Sequence, residues 1–369
     1  MERFLPAQEF MSRYSRHIVL DEIGQAGQEK ISKAKVLVIG AGGLGCPALQ
    51  YLTAAGIGTI GIIDFDSVEE SNLQRQILFG TSSIGVNKAI AAKNRLEDLN
   101  PTIHIRAYPE KLTPKNALEL FESYDIIVDG TDNFAARYLI NDASILAKKP
   151  VVYGAIYKFE GQVSVFNYQN GPSYRCLFAT PPKAGSVPNC SEVGVLGVLP
   201  GIIGTMQANE VLKMVLGFDN VLSGKLFCFN AKTSETITLK IKKSVSEIEN
   251  VKTIEGSSSD YISESFCESP VAEISVEEAI QLGNCQFVDV RELGEKPTVL
   301  LSNCIQIPLR NLEQELDRID SEKNKILFCQ TGIRSRAAVE ILQKHNQHNC
   351  YNLKGGAETI LAYQKLEIK

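Results

Sequence analysis

The sequence predicts an α/β protein of two domains, in which a doubly wound parallel sheet is followed by a smaller α/β domain. The chain has 369 residues, which is more than one hydrophobic core usually organises. Short apolar, β-branched runs alternate with helix-forming stretches over residues 35–153, a pattern typical of parallel sheets covered by helices. A serine-rich, acidic stretch at residues 244–273 separates this series from a second one.

The elements of the first domain are expected within residues 1–243. Residues 35–40 (KVLVIG) are apolar and β-branched and end in glycine, which predicts a buried parallel strand, and a helix is expected at 44–55. The alternation continues with predicted strands at 59–64, 103–106, 125–129 and 150–153 and predicted helices at 87–99, 114–121 and 134–147. Longer strands at 161–168 and 225–241, on either side of a helix at 204–216, extend the sheet.

Residues 244–273 contain too little apolar surface to pack, so we interpret them as a flexible linker. A second α/β series follows in residues 274–369. Its predicted elements are a helix at 276–282, strands at 287–290 and 325–329, a helix at 334–345 and a last helix at 357–363.

Composition narrows the class of function. With 43 acidic and 38 basic residues the net charge is −5, which offers no broad positive surface for nucleic acid or an anionic membrane. Residues 1–10 lack the apolar segment of a secretory signal, and glycine and proline interrupt the most apolar stretch, 193–206. Nine irregularly spaced cysteines fit a reducing compartment. We therefore expect a cytoplasmic protein that binds neither membranes nor nucleic acid directly.

A glycine-rich loop follows the first predicted strand. Gly40, Gly42, Gly43 and Gly45 form G-x-G-x-x-G before a helix, where free backbone N–H groups and the helix dipole stabilise phosphate. Asp64 ends the next strand, where a carboxylate can accept hydrogen bonds from ribose hydroxyls. This fingerprint does not distinguish NAD from ATP, and the glycines are also compatible with tight packing alone.

Charged side chains outside the glycine-rich loop favour ATP. The candidate residues that follow successive strands are Ser71, Asn72, Leu73, Gln74 and Arg75 in one run, then Lys88, and later Asp132 and Asn133. Loops at the carboxyl ends of parallel strands converge on one crevice. Attack on an α-phosphate requires cations and a carboxylate for Mg²⁺, whereas hydride transfer does not. Taken singly, Arg75 and Lys88 are compatible with solvated surface charges, and Asp132 with a helix cap.

Six motifs occur in an order that resembles the MoeB/ThiF family, relatives of the ubiquitin-activating enzymes. They are RYSRHIVL, GAGGLG, DFDSVEESNLQRQ, GTDN, FEGQVSVF and YRCLF, within about residues 13–240. The resemblance implies a Rossmann-like domain of the ubiquitin-activating type. It also implies adenylation of the C-terminal glycine of a small ubiquitin-like sulfur carrier (MoaD- or ThiS-like, ending in Gly-Gly), usually by a homodimer.

The resemblance also implies roles for single residues. Those expected to contact ATP or its metal are Gly43, Asp64, Ser71, Asn72, Arg75, Lys88, Asp132 and Asn133, with Asp132 positioning Mg²⁺. Arg16 is expected to reach the triphosphate of the partner protomer, the alternative being a surface ion pair. Many relatives bind zinc through two C-x-x-C pairs. Here the first is reduced to Ser173-Tyr-Arg-Cys176 and the second is missing after Lys240, so we predict no zinc.

Two cysteines are candidates for sulfur chemistry. Cys190 lies in SVPNC, where relatives place a cysteine on a mobile loop, and a thiolate there could attack an acyl adenylate or exchange with an acyl persulfide. A buried, inert cysteine is the alternative. Cys329 ends an apolar strand and opens CQTGIRS, which leads into a helix, so the helix N-terminus and Arg334 are both expected to stabilise a persulfide anion.

The segment around Cys329 resembles a single-domain rhodanese over about residues 275–369. Asp289-Val-Arg-Glu and Leu353-Lys-Gly-Gly support the resemblance, and four residues between Cys329 and Arg334 match sulfurtransferases, whereas related phosphatases have five. The sequence departs from the family at Gln330, where many rhodaneses have arginine, and at residues 301–304, where a histidine-glycine segment is expected.

The combined hypothesis is adenylation of a sulfur carrier by Mg-ATP, followed by sulfur transfer from a Cys329 persulfide that an upstream donor such as a cysteine desulfurase supplies. Three alternatives stay open: an adenylating enzyme with an inactive, regulatory rhodanese-like domain, an enzyme that adenylates another carboxylate or an RNA group, and an NAD-dependent oxidoreductase. The sequence does not choose among molybdopterin, thiamine and tRNA thiolation as the pathway.

Overall fold

The computed structural model describes residues 12–182, 194–253, 271–299, 301, 303–345 and 347–367. Over these residues the chain divides into two compact units, one formed by residues 12–182 and 194–253 and the other by residues 271–367. No helix in the described ranges combines the length and the apolar character needed to cross a bilayer.

The first unit is built on an eight-stranded sheet of order β3-β2-β1-β4-β5-β6-β7-β8. Its strands are β1 Lys35–Ile39, β2 Thr59–Ile63, β3 His104–Tyr108, β4 Ile126–Asp129, β5 Val151–Tyr157, β6 Glu160–Phe166, β7 Lys225–Asn230 and β8 Thr236–Lys240. Strands β1 to β5 pair in parallel, and β5 to β8 pair antiparallel. This arrangement confirms the predicted doubly wound sheet.

The helices of the first unit cover this sheet. They are α1 Ser15–Ile18, α2 Gly24–Lys33, α3 Gly45–Ala55, α4 Lys88–Leu99, α5 Pro114–Glu122, α6 Phe134–Leu146, α7 Val198–Leu216 and α8 Val245–Thr253. Helix α7 begins six residues before the predicted start because Pro200 falls in its first turn, where proline lacks only a hydrogen bond that the turn would not make. The predicted strand 225–241 is a hairpin, with Ser234 in a left-handed turn conformation.

Helix α8 occupies the start of the stretch that the sequence suggests is a linker. The Ser244 hydroxyl accepts a hydrogen bond from the Glu247 backbone, which caps the helix, and Val251 is buried. The helix contacts α6 and the 3-10 helix Tyr174–Cys176 of the first unit. Burial of Val251 therefore holds helix α8 on this unit, although residues 245–253 are mostly polar.

The second unit contains a five-stranded sheet of order β11-β10-β12-β13-β9, in which every pair is parallel. Its strands are β9 Ala272–Ile274, β10 Cys285–Asp289, β11 Cys304–Gln306, β12 Asn324–Phe328 and β13 Cys350–Leu353, and its helices are α9 Val276–Leu282, α10 Ile333–Lys344 and α11 Gly356–Glu367. The sequence does not predict β9, β11 or β13. They have only three or four residues, and such short segments carry no readable periodicity.

Candidate functional site

The glycine-rich loop between β1 and α3 is shaped by contacts that exclude side chains. Gly40 has φ 88°, and a Cβ on Gly45 would lie 1.9 Å from the Gly40 carbonyl oxygen. A Cβ on Gly43 would lie 3.1 Å from Pro200, whereas a Cβ on Gly42 would make only an ordinary contact, 3.8 Å from Gln76. The backbone is therefore folded into a cradle at the N-terminus of α3, the geometry that binds phosphate.

Asp64 holds this cradle in place. Its Oδ2 accepts a hydrogen bond from the Ala41 backbone at 2.8 Å, and its Oδ1 accepts one from the Asp66 backbone at 2.9 Å. Burial raises the pKa of this carboxyl, and the two backbone hydrogen bonds oppose that rise. The sequence suggests a ribose ligand at Asp64, and the structure adds a role in fixing the phosphate loop.

Two cations lie beside the loop. The Arg75 side chain passes 3.7 Å from the position of a Cβ on Gly43, and its Nη1 donates to the Ser71 carbonyl at 3.0 Å. Lys88, the first residue of α4, is mostly buried, and its Nζ lies 3.1 Å from Asp66 Oδ2. The structure thus brings both predicted cations to the carboxyl end of the sheet.

The residues between Ser71 and Arg75 mainly shape the backbone that carries Arg75. Asn72 is buried, and its Oδ1 accepts a hydrogen bond from the Glu69 backbone in a 3-10 turn. Leu73 packs against the main core, and the Gln74 carbonyl lies 2.4 Å from where a Cβ on Gly197 would be. These side chains therefore fix the loop, and their contacts with a nucleotide stay a prediction.

The loop after β4 carries the predicted metal ligand. Asn133 Oδ1 accepts a hydrogen bond from the Ala136 backbone at 2.9 Å, so Asn133 is the N-cap of α6. This excludes the alternative in which Asp132 caps the helix. Asp132 is exposed and makes no hydrogen bond to any described residue. One free carboxylate beside a phosphate cradle suits Mg²⁺, which usually binds one or two carboxylates together with substrate phosphates.

Arg16 lies away from this crevice. Helix α1 is anchored by Tyr14, whose hydroxyl accepts a hydrogen bond from Asn100 and whose ring packs on Gly56. Gly56 follows the C-terminus of α3, whereas the phosphate loop lies at the N-terminus of the same helix. The two ends of this 11-residue helix are about 16 Å apart. The exposed Arg16 side chain is thus remote from the phosphate loop of its own protomer.

In the second unit, Cys329 lies at the end of β12 and is only 1% exposed. The Gly332 backbone N–H donates to its sulfur at 3.1 Å, and the Ser335 hydroxyl oxygen lies 3.5 Å from it. Gly332 has φ 98°, a conformation that glycine adopts without strain. The loop therefore directs donors at the sulfur, as the stabilisation of a thiolate or persulfide anion requires.

Arg334 forms an ion pair with a carboxylate that no sequence motif marks. Its two terminal nitrogens donate to both carboxylate oxygens of Glu295, at 2.6 and 2.8 Å. The hydrogen bond from Arg334 holds the pKa of Glu295 below its usual range. Glu295 thus offsets the charge of Arg334, and the stabilisation of a persulfide anion by Arg334 stays a prediction.

A buried ion pair, Arg291 with Asp289, contacts the Cys329 loop at Gln330. Arg291 donates to both oxygens of Asp289, with its closest nitrogen at 2.7 Å, and its Nη1 lies 3.4 Å from Gln330 Oε1. Gln330 in turn donates to Glu358 at 3.1 Å. Gln330, where the sequence departs from many rhodaneses, therefore connects the Cys329 loop to α11 through a side-chain hydrogen bond and carries no charge.

Comparison with known proteins agrees with a phosphate loop in the first unit and a sulfur site at Cys329 in the second. The ThiF family model matches residues 14–249, which is more than half of the chain. The chain belongs to the ThiF family. A second model, for a rhodanese-like domain, matches residues 274–362. Both resemblances inferred from the motifs are confirmed.

Individual relatives of this ThiF-family chain span both units or the first alone. It is 38% identical over 372 residues to the probable adenylyltransferase/sulfurtransferase MoeZ of Mycobacterium tuberculosis, covering 97% of this chain and 94% of the relative. It is 48% identical over 241 residues to the sulfur carrier protein adenylyltransferase of Thermus thermophilus, covering 64% and 89%. The crystal structure of E. coli MccB with ATP shares the fold, with a TM-score of 0.55 and 22% identity over 65% of this chain and 75% of that one.

The ThiF-family region where relatives place zinc has one sulfur at its centre. Cys176 Sγ accepts hydrogen bonds from the Ser173 and Ser244 backbones, each at 3.3 Å, and contacts the Ser173 hydroxyl. No group of three or more His, Cys, Asp or Glu side chains suited to a metal occurs among the described residues. Among the described residues the side-chain groups at this point are one thiol and the Ser173 hydroxyl, whereas a structural zinc site uses four Cys or His ligands.

Several functional neighbours are not evident from the sequence. Glu295 lies three residues beyond the Asp289-Val-Arg-Glu motif, and its charge is the one signal that could have marked it. Ser335 directly follows Arg334, and its hydroxyl donates its one proton to Asn352 Oδ1 at 2.6 Å. Cys190 lies outside the described residues, so its role stays a prediction.

Proposed function

We propose that this protein adenylates the C-terminal glycine of a small ubiquitin-like sulfur carrier, then converts it to a thiocarboxylate with sulfur from a Cys329 persulfide. The observation that carries this proposal is the joint presence, in one ThiF-family chain, of two sites. One is a phosphate cradle with Arg75, Lys88 and a free Asp132 at the same sheet edge. The other is a cysteine sulfur that accepts loop hydrogen bonds at a helix N-terminus.

In the first step the glycine carboxylate of the carrier attacks the α-phosphate of ATP, and pyrophosphate leaves. Negative charge grows on the phosphate oxygens, and preorganised donors that meet it there lower the barrier. The Gly40–Gly45 backbone holds the phosphates, and Arg75 and Lys88 supply positive charge beside them. Arg16 of the partner subunit adds a further cation, which makes the active form a homodimer.

Asp132 is the residue that holds Mg²⁺. The ion, when bound, screens the phosphate charge and orients the leaving pyrophosphate. Asn133 keeps its oxygen in the helix cap, so it fixes the direction of the loop from which Asp132 projects. The Asp132 carboxylate accepts no hydrogen bond from the described residues, so none competes with a metal for its oxygens.

In the second step the terminal sulfur of the Cys329 persulfide attacks the acyl carbon, and AMP leaves. The product is an acyl disulfide between the carrier and Cys329. A second thiol, for which Cys190 is the candidate, then attacks the Cys329 sulfur, so that the thiocarboxylate leaves and a protein disulfide forms. An external dithiol reduces that disulfide, and a protein persulfide, such as that of a cysteine desulfurase, reloads Cys329.

One assay tests the proposal as a whole. The protein is incubated with Mg-ATP, a persulfide donor and candidate carriers ending in Gly-Gly, and the carriers are then weighed by mass spectrometry. The expected product has one oxygen replaced by sulfur. If Cys329 carries a persulfide and no carrier gains that mass, the proposed function is wrong. Adenylated carrier without sulfur would instead indicate a regulatory rhodanese-like domain, and ATP-independent nicotinamide binding would indicate an oxidoreductase.

We also propose that the protein acts in the cytoplasm. A separate proposal is that hydrogen bonds to Cys176 take the structural role that zinc has in many relatives. Chelators are therefore expected to leave the Tm unchanged. Cys176→Ala is expected to lower the free energy of unfolding by about 1 kcal/mol, because two partly buried hydrogen bonds lose their acceptor. Thermal and urea unfolding measure both effects.

The matched control for the Cys176 variant is Cys228→Ala, which removes a thiol of similar exposure from β7. It is expected to change stability by less than Cys176→Ala. A fall in Tm on chelation, together with metal released in proportion to protein, would contradict the zinc-free interpretation.

A further inference from the structure

A buried polar layer lies directly under the loop that carries Asp132. Asp129, the last residue of β4, is 2% exposed. Its Oδ1 accepts hydrogen bonds from the Thr131 backbone at 3.0 Å and from the Thr131 hydroxyl at 2.6 Å. Both donors belong to the residue that precedes Asp132, so Asp129 fixes the backbone from which the Asp132 carboxylate projects.

Arg137 closes the other side of this loop. It lies on α6, is almost fully buried, and its Nη2 donates to the Thr131 carbonyl at 3.4 Å. Its guanidinium makes cation–π contacts with the rings of Phe134 and Tyr153, at 5.6 and 5.5 Å from their centroids. The N–H, the hydroxyl and the carbonyl of Thr131 are therefore all held by buried charges.

These charges are shielded from substrate. The cavity beside Asp129 and Arg137 has a volume of about 10 Å³, which admits about one water molecule. Gln207 of α7 seals the layer further, because its Nε2 donates to the carbonyls of Asp129 and Val152 at 2.7 and 3.1 Å. Asp129 and Arg137 consequently act on the site through Thr131 and not by contact with a nucleotide.

We propose that Asp129, Thr131 and Arg137 are positioning residues that set where Asp132 meets the Mg²⁺ of Mg-ATP. This inference rests on the proposed function. Mg²⁺ requires near-ideal octahedral geometry with ligands at about 2.0–2.1 Å, so it tolerates little displacement of a carboxylate. Asp132 makes no hydrogen bond of its own to a described residue, and the backbone on either side, held by Thr131 and by the Asn133 cap, is what places it.

Thr131→Val tests the inference, because valine keeps the shape of threonine and loses only the hydroxyl. Calorimetric titration measures the affinity for a non-hydrolysable ATP analogue with and without Mg²⁺. In the variant we expect the affinity in Mg²⁺ to fall about tenfold or more, since loss of an outer-shell partner of a metal ligand costs about 10- to 100-fold in metal affinity. The affinity without Mg²⁺ should stay within about twofold, and Thr131→Ser, which keeps the hydroxyl, should restore the wild-type values.

The control is Thr113→Val, which removes a comparable threonine hydroxyl, bonded to Asn116 at 3.1 Å in the cap of α5. It should leave the Mg²⁺ dependence unchanged. Equal losses with and without Mg²⁺ in Thr131→Val, or an equal effect of Thr113→Val, would overturn the positioning role. If Thr131→Val does not fold, Arg137→Lys removes the second Thr131 contact, keeps the charge and carries the same test. Wild-type protein that binds the analogue without regard to Mg²⁺ would instead overturn the proposed function.

Discussion

Cys329→Ala is expected to abolish thiocarboxylate formation and to leave adenylation of the carrier at the wild-type rate. Alanine supplies no nucleophilic sulfur, and the described groups in contact with Sγ, the Gly332 backbone and the Ser335 hydroxyl, do not replace it. The ATP cradle and its cations belong to the first unit and do not involve Cys329. ATP–pyrophosphate exchange measures the first step, and the mass of the carrier measures the second.

Cys350→Ala is the matched control, since Cys350 is also buried in the second unit. Burial raises the pKa of its thiol to about 11, so at neutral pH it stays protonated and is a poor nucleophile. This variant should form thiocarboxylate normally. Full thiocarboxylate formation by Cys329→Ala would assign the sulfur to another thiol and make the rhodanese-like domain regulatory.

The sequence predicts the sites well where backbone geometry restricts the residue type. Gly40 has φ 88°, and Gly45 has no room for a Cβ, so the glycine-rich loop is readable as a pattern. Cys329 is similarly readable, because a strand, a short loop and a helix follow one another along the chain. In each case the residues that define the site are neighbours in sequence.

The sequence does not predict pairings between distant residues. Arg334 pairs with Glu295, 39 positions away, and no motif marks that partner. The roles of Asp129 and Arg137 depend on the helix and strand that enclose Thr131. Composition likewise misses α8, because burial of Val251 decides that helix while its other residues are mostly polar. Such choices depend on tertiary contacts that periodicity does not encode.

The largest effect on adenylation is expected from paired variants of Arg16 and Lys88. Each of Arg16→Ala and Lys88→Ala alone should reduce ATP–pyrophosphate exchange about 100-fold or more, as the loss of one donor to transition-state charge does. Lys88 lies at the phosphate site of its own protomer, whereas Arg16 lies beyond the far end of α3. The two side chains thus serve one site only if they come from different subunits.

Mixing the two variants after mild dissociation separates the subunit assignments. In a dimer of one Arg16→Ala and one Lys88→Ala protomer, one site retains both cations and the other has neither. Equal mixing places half of the protomers in such dimers, so exchange should recover to about a quarter of the wild-type value for a two-fold assembly. Arg13→Ala, which removes an exposed arginine that bonds the Leu99 carbonyl, should keep full exchange. If Arg16 serves the partner's site, each mixed dimer has one site with both cations and must recover activity. Mixed dimers without any recovery would therefore place Arg16 outside the partner's active site.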